Sequence, residues 1–445
     1  MTGTEILEAR EKRAGIKNGL LAKHPGCILV TVSPNIPGPD KRGAAAQTVF
    51  TAAEHETEKL FRNRGIAVRE KAFLENAAGF FGVYAVDAEP RDLKSRTVSL
   101  ETNHPLGRLM DIDIIGADRE PVSRTAVGGR RRECFVCGGD AKCCARSGKH
   151  TPEALTLAIR GILNGYRSGV IAGAASWALS QELNTKYKPG LVDPVTNGAH
   201  SDMDVNTFAR SISALEQHFR RMALEALNAG KRISGLFSRL RAIGLAAEED
   251  MLTATGGVNT HKGAIFSLGI LCASAGITLA TGETLNASEV CRRAGELTRK
   301  DILAELRAMS GKTPGTNGER LYISGDHSGA RGEAAGGFPS VTAIYADFKR
   351  RTTAMPWNEV KLHALLQLMA GVEDTNVLAR CGVYGLEYMR RSARIALASG
   401  QSADKMLMLD RDFTRRNISP GGCADLLSCL LFLYRMESLR NGGRL

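Results

Sequence analysis

Aromatic side chains are scarce in this sequence. They make up 5% of its 445 residues, and only two are tryptophan. Proteins that bind single-stranded nucleic acid stack bases on aromatic rings, so the scarcity argues against that class despite a net charge of +12. The excess of basic residues suits other anionic partners equally well, such as nucleotides or coenzyme A. We therefore expect no nucleic-acid partner.

Long apolar segments are also missing. Residues 1–20 are charged throughout and contain no apolar core of a signal peptide, which predicts a cytoplasmic chain whose cysteines stay reduced. The longest apolar stretch, residues 263–280, is rich in Gly, Ser and Ala and short for a membrane span. It is typical of a buried helix, and we expect no membrane association.

The pattern of side chains changes near residue 150. Before it, short apolar runs typical of strands alternate with helical patterns. The predicted strands are residues 27–33, 80–87, 96–100 and 108–115, and the predicted helices are residues 4–23 and 43–63. From Thr151-Pro152 onward the patterns are almost wholly helical. This organisation predicts a multidomain protein, with an α/β domain at residues 1–150 and an all-α domain at residues 151–445.

An Asp-x-Asp pair lies in the last predicted strand. Alternate residues of a strand point to the same face, so Asp111 and Asp113 present two carboxylates side by side. Such a pair suits Mg²⁺, which binds hard oxygen ligands and leaves room for substrate phosphates. The preceding Arg108 adds a fork-shaped phosphate ligand. The alternative is a solvated strand of alternating polarity.

Four potential zinc ligands follow. Cys134 and Cys137 form a C-x2-C pair, and Cys144 and His150 complete a set with the chemistry of a tetrahedral site. Cys143 competes with Cys144 for the third position, and reduced structural cysteines remain the alternative. Further upstream, the rigid loop Asn35-Ile36-Pro37-Gly38-Pro39 leads to Lys41, which could contact a phosphate.

In the helical part, a glycine-rich connector precedes a predicted helix at residue 262. Paired glycines allow a ligand to approach the backbone, and a helix N-terminus favours anions. The connector's candidate phosphate-binding residues are Gly256, Gly257, Asn259, His261 and Lys262. Gly311-Lys312-Thr313 is not a P-loop, because Leu306 stands where that motif requires its first glycine.

Acidic residues gather in the connectors of the same part. Each alone is typical of a helix cap or a solvated charge, but together they predict a metal–nucleotide cleft at one end of a helical bundle. The carboxylates are Asp193, Asp202, Asp204, Glu248, Glu333, Glu373 and Asp374.

Motifs of the first part resemble one enzyme family. NIPGPDK, HPLGRLMDIDII and the Cys/His tail resemble, in this order, the phosphoribosyl-dephospho-CoA transferases that make holo-citrate lyase. The resemblance implies nucleotidyltransferase-like chemistry: a serine of the citrate lyase acyl carrier (gamma) subunit attacks a triphosphoribosyl donor and releases diphosphate. It implies metal binding by Asp111 and Asp113, and phosphate contacts by Arg108 and Lys41.

Motifs of the second part resemble another family. KPGLVD, NGAHSDMD, TGGVNTHKGAIFSLG, EDTN and SPGG are similar to those of triphosphoribosyl-dephospho-CoA synthases. The implied reaction joins ATP to 3′-dephospho-CoA and releases adenine. The roles that we assign on this basis are Glu248 or Asp204 as base, Asp202, Glu373 and Asp374 as Mg²⁺ ligands, and Lys188, His261, Lys262, Arg331 and Glu333 in substrate binding.

Two other functions are alternatives. One is the equivalent prosthetic-group synthesis for malonate decarboxylase, against which the motifs of the first part argue. The other is a zinc-containing nucleic-acid-binding protein, which would need more aromatic residues and fewer clustered carboxylates. The favoured interpretation is a bifunctional transferase.

Overall fold

The computed structural model describes residues 3–38, 41–308, 320, 321, 323, 327–443 and 445. Pro39 of the proline-rich loop and Gly311–Thr313 lie outside the described residues. The chain divides into two compact units, one of residues 1–166 with 441–445 and one of residues 167–440.

Unit 1 contains a four-stranded antiparallel sheet with the strand order β2-β3-β1-β4. The strands are β1 (Ile28–Pro34), β2 (Val68–Asn76), β3 (Gly79–Val86) and β4 (Met110–Ile115), and the helices are α1 (Gly3–Lys23), α2 (Ala44–Arg64), α3 (Pro90–Asn103) and α4 (Ala141–Arg146). The predicted α/β character of the first part is confirmed.

Both faces of the sheet are covered. Val30 and Ile112 point to the face that packs against α2 and α3, whereas Leu29 and Val83 point to the face that carries Leu20 of α1. Because side chains alternate along a strand, Asp111 and Asp113 share the second face. They lie on β4, which is an edge strand of this sheet.

One predicted strand is wrong. Residues 96–100 lie inside α3, which begins at Pro90 with Glu89 as its N-cap. The Glu89 carboxylate accepts hydrogen bonds from the backbone N–H groups of Arg91 and Asp92, and proline is favoured at the first helical position. These start signals override the β-branched residues that suggested a strand. Strand β2 was not predicted, because it lies at an exposed edge of the sheet and charged residues separate its apolar ones.

Unit 2 is built from helices, as predicted for the second part. Helix α5 (Pro152–Leu183) includes the point at which the two units divide. The following helices are α6 (Val205–Ala229), α7 (Leu236–Thr255), α8 (Lys262–Thr281), α9 (Ala287–Ala308), α10 (Gly329–Gly336), α11 (Pro339–Arg351), α12 (Trp357–Gly371), α13 (Thr375–Ser399), α14 (Ala403–Arg415) and α15 (Gly421–Asn441).

Helix α8 is the most apolar of the helices in the described ranges. It is long and apolar enough to cross a membrane, but 78% of its most apolar stretch of 18 residues is buried within the protein. A core helix passes the same test of length and composition. The prediction of a buried helix at residues 263–280 is therefore confirmed.

Two candidate functional sites

The carboxylates of β4 are each held by a cation from outside the strand. Arg132 Nη2 donates to Asp111 Oδ1 at 2.9 Å, and Lys94 Nζ donates to Asp113 Oδ1 at 3.1 Å. Lys94 is nearly fully buried and also donates to the backbone oxygen of Ile112. The cations therefore restrict both carboxylates to one side of β4.

A buried glutamate organises the surrounding arginines. Glu101 Oε1 accepts hydrogen bonds from Arg132 at 2.6 Å and from the backbone N–H of Ile112 at 2.8 Å, and its other oxygen accepts from Arg124. Arg132 thus bridges Glu101 and Asp111. Since α3 carries Glu101 and β4 carries Ile112, this network ties the Asp pair to the helix behind it.

Groups of like charge lie close together in this region and contribute to the shifted pKa values of Asp111 and Arg108. Partial burial, followed by the neighbouring charge of Asp113, raises the pKa of Asp111. Burial, followed by repulsion from Arg132 and Arg124, lowers the pKa of Arg108. Crowded guanidinium groups favour a bound anion, whereas the two like-charged carboxylates favour a bound cation.

Lys41 lies in a different setting. Its Nζ donates to the backbone oxygen of Ile36 at 2.5 Å, and its own backbone packs tightly against Gly79. Burial lowers the pKa of Lys41. Within the described ranges, no hydrogen bond or ion pair joins Lys41 to the Asp pair, so its phosphate role stays a prediction.

The four predicted zinc ligands come together. Cys134, Cys137, Cys144 and His150 place one ligand atom each within 4.8 Å of the others. Cys137 Sγ lies 3.6 Å from Cys144 Sγ and 3.3 Å from His150 Nε2. Around a tetrahedral zinc, metal–sulfur bonds of about 2.3 Å imply sulfur–sulfur edges of about 3.8 Å, so the spacing suits that ion.

The local backbone builds this cluster. The N–H of Cys134 donates to the oxygen of Gly139, and residues 133 and 140 form an antiparallel bridge. Hydrogen bonds from the backbone N–H groups of Cys137 and Val136 lower the pKa of Cys134, whereas desolvation and neighbouring thiols raise the pKa of Cys144 to about 11. Cys143 is exposed and outside the cluster, which decides the choice that the sequence left open.

In unit 2, most of the predicted connector residues line one cavity of about 1340 Å³. They reach it from segments that are distant in sequence. The predicted residues on its wall are Lys188, Asp202, Glu248, Asn259, His261, Lys262, Arg331, Glu333, Glu373 and Asp374.

Four predicted residues are not among those that line this cavity, namely Asp193, Asp204, Gly256 and Gly257. Asp193 is buried, and its oxygens accept hydrogen bonds from the backbone N–H groups of Lys188, Val195 and Thr196. Asp204 is the N-cap of α6, where its Oδ1 accepts from the backbone N–H and the hydroxyl of Thr207, both at 2.8 Å. These bonds lower the pKa of Asp204. Gly256 and Gly257 both have positive φ, and Gly256 ends α7 in a left-handed conformation. The geometry of Asp204 favours capping, and that of the glycines favours a turn.

The N-terminus of α8 opens onto the cavity. His261 is buried, with Nδ1 2.7 Å from Ser211 Oγ and a buried Nε2 that has no hydrogen-bond partner among the described residues. Burial, with a smaller effect of Lys188, lowers the pKa of His261 to about 3, so the imidazole is neutral. Lys262 Nζ lies 2.7 Å from Glu248 Oε2. The helix start therefore combines an exposed cation, a neutral imidazole and backbone N–H groups.

A buried ion pair forms another part of the wall. Lys188 Nζ donates to Glu182 Oε1 at 2.5 Å and to the backbone oxygen of the same residue at 2.9 Å. Glu182 was missed from the sequence, because it lies inside the pattern of α5 and not in a connector. A charge pair buried this deeply is costly unless both partners are satisfied. Each of the two residues therefore depends on the other to offset the cost of burying its charge.

The remaining acidic residues have varied partners. Asp374 is buried, and its oxygens accept from the backbone N–H groups of three residues of α13 and α15. Glu373 Oε1 lies 2.6 Å from His327 Nδ1. Glu333 accepts from Ser340, and burial raises the pKa of Glu333. Asp202 is exposed.

One carboxylate on the cavity wall was also missed. Asp425 lies in α15, three residues after the Ser-Pro-Gly-Gly motif. Burial, followed by the charges of Asp374 and Glu182, raises the pKa of Asp425 well above its ordinary value. The only signal in the sequence is a lone aspartate in the apolar first half of a helix, which is too common to single out.

Comparisons with known proteins match each part of the chain to a family. The sequence model of the CitG family, ATP:dephospho-CoA triphosphoribosyl transferase, matches residues 168–443. That of the CitX family, apo-citrate lyase phosphoribosyl-dephospho-CoA transferase, matches residues 1–166. The second description favours citrate lyase over malonate decarboxylase, and neither supports a nucleic-acid-binding protein.

Relatives share this two-part organisation. The chain is 32% identical to Protein CitXG of Haemophilus influenzae, over 96% of this chain and 94% of that one. It is 31% identical to Protein CitXG of Leuconostoc mesenteroides subsp. cremoris, over 97% and 96%. It is also 40% identical to the 2-(5''-triphosphoribosyl)-3'-dephosphocoenzyme-A synthase of Pectobacterium atrosepticum, over 58% of this chain and 86% of that protein.

The cavity, the Asp pair and these relationships lead to one conclusion. The chain is a bifunctional transferase of citrate lyase prosthetic-group biosynthesis, and it belongs to the CitG family of ATP:dephospho-CoA triphosphoribosyl transferases with a part of the CitX transferase family preceding it.

Proposed function

We propose that the cavity of unit 2 is where ATP and 3′-dephospho-CoA react, and that the Asp pair of unit 1 is where the product is transferred to the citrate lyase acyl carrier. The observation that carries this proposal is the convergence of Lys262, Glu248 and Arg331 on one cavity at the start of α8. A helix N-terminus with a lysine beside it is a natural triphosphate site.

In the cavity, we assign the triphosphate to the start of α8 and to Lys262. The phosphates then compete with Glu248 for this lysine, which lies 2.7 Å from it. Release of Glu248 from its ion pair leaves a carboxylate free to accept the proton of the attacking 2′-hydroxyl group. Of the two predicted bases, Glu248 is therefore the one we retain, because Asp204 is engaged as a helix cap.

The neutral imidazole of His261 supports binding rather than proton transfer. Its buried Nε2 has no hydrogen-bond partner in the part of the chain that the structure describes. An unsatisfied buried nitrogen costs about 1–3 kcal/mol, which a bound polar group would recover. We propose that a ligand hydroxyl or phosphate oxygen, or a bound water, contacts this nitrogen.

A magnesium ion fits the cavity only as a companion of the triphosphate. Asp374 uses its oxygens on backbone N–H groups, which leaves Asp202 and Glu373 of the three predicted metal ligands. Mg²⁺ bound with a nucleotide commonly takes one or two carboxylates and completes its shell with phosphates and water. Such an ion would neutralise the triphosphate, which is not cleaved in this reaction.

In unit 1, we propose nucleotidyltransferase-like chemistry at Asp111 and Asp113. Arg108 and Arg132 would hold the phosphates of the triphosphoribosyl group, and the carrier serine would attack the phosphorus nearest the ribose. The repulsion that raises the pKa of Asp111 is relieved by a bound divalent cation, so the donor set fits Mg²⁺. That ion would stabilise charge on the transferred phosphorus and on the departing diphosphate.

We propose that the cysteine cluster binds zinc in a structural role. All four ligands come from residues 134–150 with no position left for substrate, as in structural zinc sites. The segment just before the cluster carries Arg132, which bridges Glu101 and Asp111. Zinc would therefore hold this arginine against the Asp pair.

The division of labour follows the predicted domains, with transfer in residues 1–150 and synthesis in residues 151–445. Incubation with ATP and 3′-dephospho-CoA should release adenine, and later addition of the apo-carrier should increase the carrier's mass by one phosphoribosyl-dephospho-CoA group. A carrier of malonate decarboxylase serves as the comparison. Adenine release without any carrier modification would contradict the assignment of unit 1.

A further inference from the structure

Asp425 stands apart from the other carboxylates of the cavity. In the described part of the chain, no hydrogen-bond donor or cation contacts it. Glu182, Glu248, Glu333, Glu373 and Asp374 all have such partners. Asp425 nevertheless lines the cavity and is only partly buried, so a ligand in the cavity can reach it.

The position of Asp425 is defined by Gly263. A Cβ atom added at Gly263 would lie 2.0 Å from Asp425 Oδ2, which no real structure tolerates. The absence of a side chain at this residue allows the carboxyl group to lie against the first turn of α8. The same turn carries Lys262, to which we assign the triphosphate, so Asp425 and the phosphates share one end of the cavity.

The surroundings of Asp425 favour its protonated form. Burial comes first among the causes, and the negative charges of Asp374 and Glu182 add to it. Lys188, the nearest cation to Glu182, is fully engaged by that glutamate. A carboxylic acid kept neutral in this way carries a proton that is not engaged in a hydrogen bond with the protein. A general acid needs such a proton, because it donates it to the substrate.

We propose that Asp425 is the general acid that protonates the departing adenine during synthesis of the triphosphoribosyl product. The bond between ribose C1′ and adenine N9 breaks, and its electron pair goes to the base, which takes the proton of Asp425. A bond forms between C1′ and the 2′-oxygen of dephospho-CoA, whose proton passes to Glu248. Solvent then returns a proton to Asp425 and removes one from Glu248.

Other groups of the cavity are less suited to this role. Glu248 is paired with Lys262, and we assign it to the attacking hydroxyl group. His261 is neutral, and its Nδ1 is engaged with Ser211. Glu333 and Asp374 also have a raised pKa, but Ser340 donates to Glu333 through both its hydroxyl and its backbone N–H, and three backbone N–H groups donate to Asp374. Asp425 is the acid that combines a raised pKa with freedom from partners.

The inference rests on the proposed assignment of the cavity to the synthase reaction. The test is adenine release by Asp425→Asn, with ATP binding measured separately. We expect kcat to fall by about 100-fold or more, as for loss of a general acid, with ATP affinity within about threefold of wild type. A kcat that falls less than threefold would overturn the proposal.

An altered leaving group separates acid catalysis from a structural effect. An N7-methylated ATP analogue carries a positively charged base that departs as a neutral molecule and needs no proton. We expect the defect of Asp425→Asn to shrink to less than about tenfold with this analogue. An equal defect with both substrates would overturn the role as acid and leave a purely structural one.

Gly263→Ala tests the same carboxyl group without removing it, in case Asp425→Asn does not fold. Its methyl group displaces Asp425, and we expect the same preference for the methylated analogue. Gly173→Ala is the matched control, because it also adds a methyl group to a helix but meets no atom within 4 Å. If both Asp425→Asn and Lys262→Ala leave adenine release unchanged, the assignment of the cavity to synthesis fails. If Lys262→Ala impairs release and Asp425→Asn does not, only the role of Asp425 fails.

Discussion

The two candidate sites are assembled in different ways. In unit 1, the Asp pair, its arginines and the cysteine cluster come from a continuous stretch between Lys94 and His150. In unit 2, the cavity wall runs from Glu182 to Ser428 and draws on most of the helices between them. The first site is thus local in sequence and the second depends on how distant helices pack. The difference explains why the grouping of residues in unit 1 was easier to predict than that in unit 2.

The largest expected effect separates the two sites chemically. Asp111→Asn should slow modification of the apo-carrier by roughly 10³-fold, because it removes a proposed metal ligand and disturbs the bond to Arg132. Adenine release from ATP should stay within about twofold of wild type. Mass spectrometry of the carrier and chromatography of adenine measure the two activities in one sample. Equal loss of both would show that the sites are not independent.

The second effect concerns the helix start in the cavity. Lys262→Ala should raise the KM for ATP by about 10- to 100-fold, because a charge-assisted contact to phosphate contributes about 1.5–3 kcal/mol. Lys300→Ala, an exposed lysine of α9 that does not line the cavity, is the control. A KM for ATP that is the same in both variants would remove Lys262 from the phosphate site.

A third prediction uses acid to probe the packing of unit 2. The folded-state pKa of His261 is about 3, below its unfolded value of about 6.5, so the unfolded chain binds the proton more readily. The free energy of unfolding therefore decreases as the pH falls below 6.5, and the contribution of His261 to this decrease is about 2 kcal/mol at pH 5.

Chemical denaturation at pH 7 and pH 5 measures this effect. His261→Gln cannot take up the proton, so its stability should fall by about 2 kcal/mol less over the same interval. Because Asp374 and Asp425 titrate in both proteins, their contributions cancel in this comparison. Equal pH dependence of the two proteins would contradict a buried neutral His261.

The smallest effect concerns the zinc proposal. Cys137→Ser should abolish binding of one zinc per chain and lower carrier modification by about tenfold, since metal sites position their neighbours through the backbone. Cys143→Ser, one residue from a ligand but exposed and outside the cluster, should keep both zinc and activity. Metal analysis of the purified variants is independent of activity, and zinc retained by Cys137→Ser would exclude the site.

Sequence reasoning succeeded where a signal is local. The Asp pair follows from the alternation of side chains along β4, and the cysteine cluster follows from ligand spacing. Residues 96–100 show the limit of such reasoning, because the cap at Glu89 decided their structure from outside the window that suggested a strand. Local composition was outweighed there by a neighbouring start signal.

Individual roles in the cavity were harder to predict. Asp204 and Asp374 are both aspartates that cap a helix, yet Asp204 lies beside a smaller hollow, whereas Asp374 is buried in the wall of the large cavity. Asp425 carried no motif at all. Its environment is set by Gly263, which is more than 160 residues away in sequence, and no pattern along the chain records that contact.

The sequence by itself determined most helices and strands, the family of each part, and the two compact sets of candidate metal ligands in unit 1. These depend on backbone periodicity and short-range spacing, which act over a few residues. Only the tertiary structure decided which carboxylates of unit 2 share a cavity, which accept hydrogen bonds as helix caps, and which has a raised pKa without a partner among the described residues. Those properties arise from burial and from the charges of neighbours, and packing brings such neighbours together from distant parts of the chain.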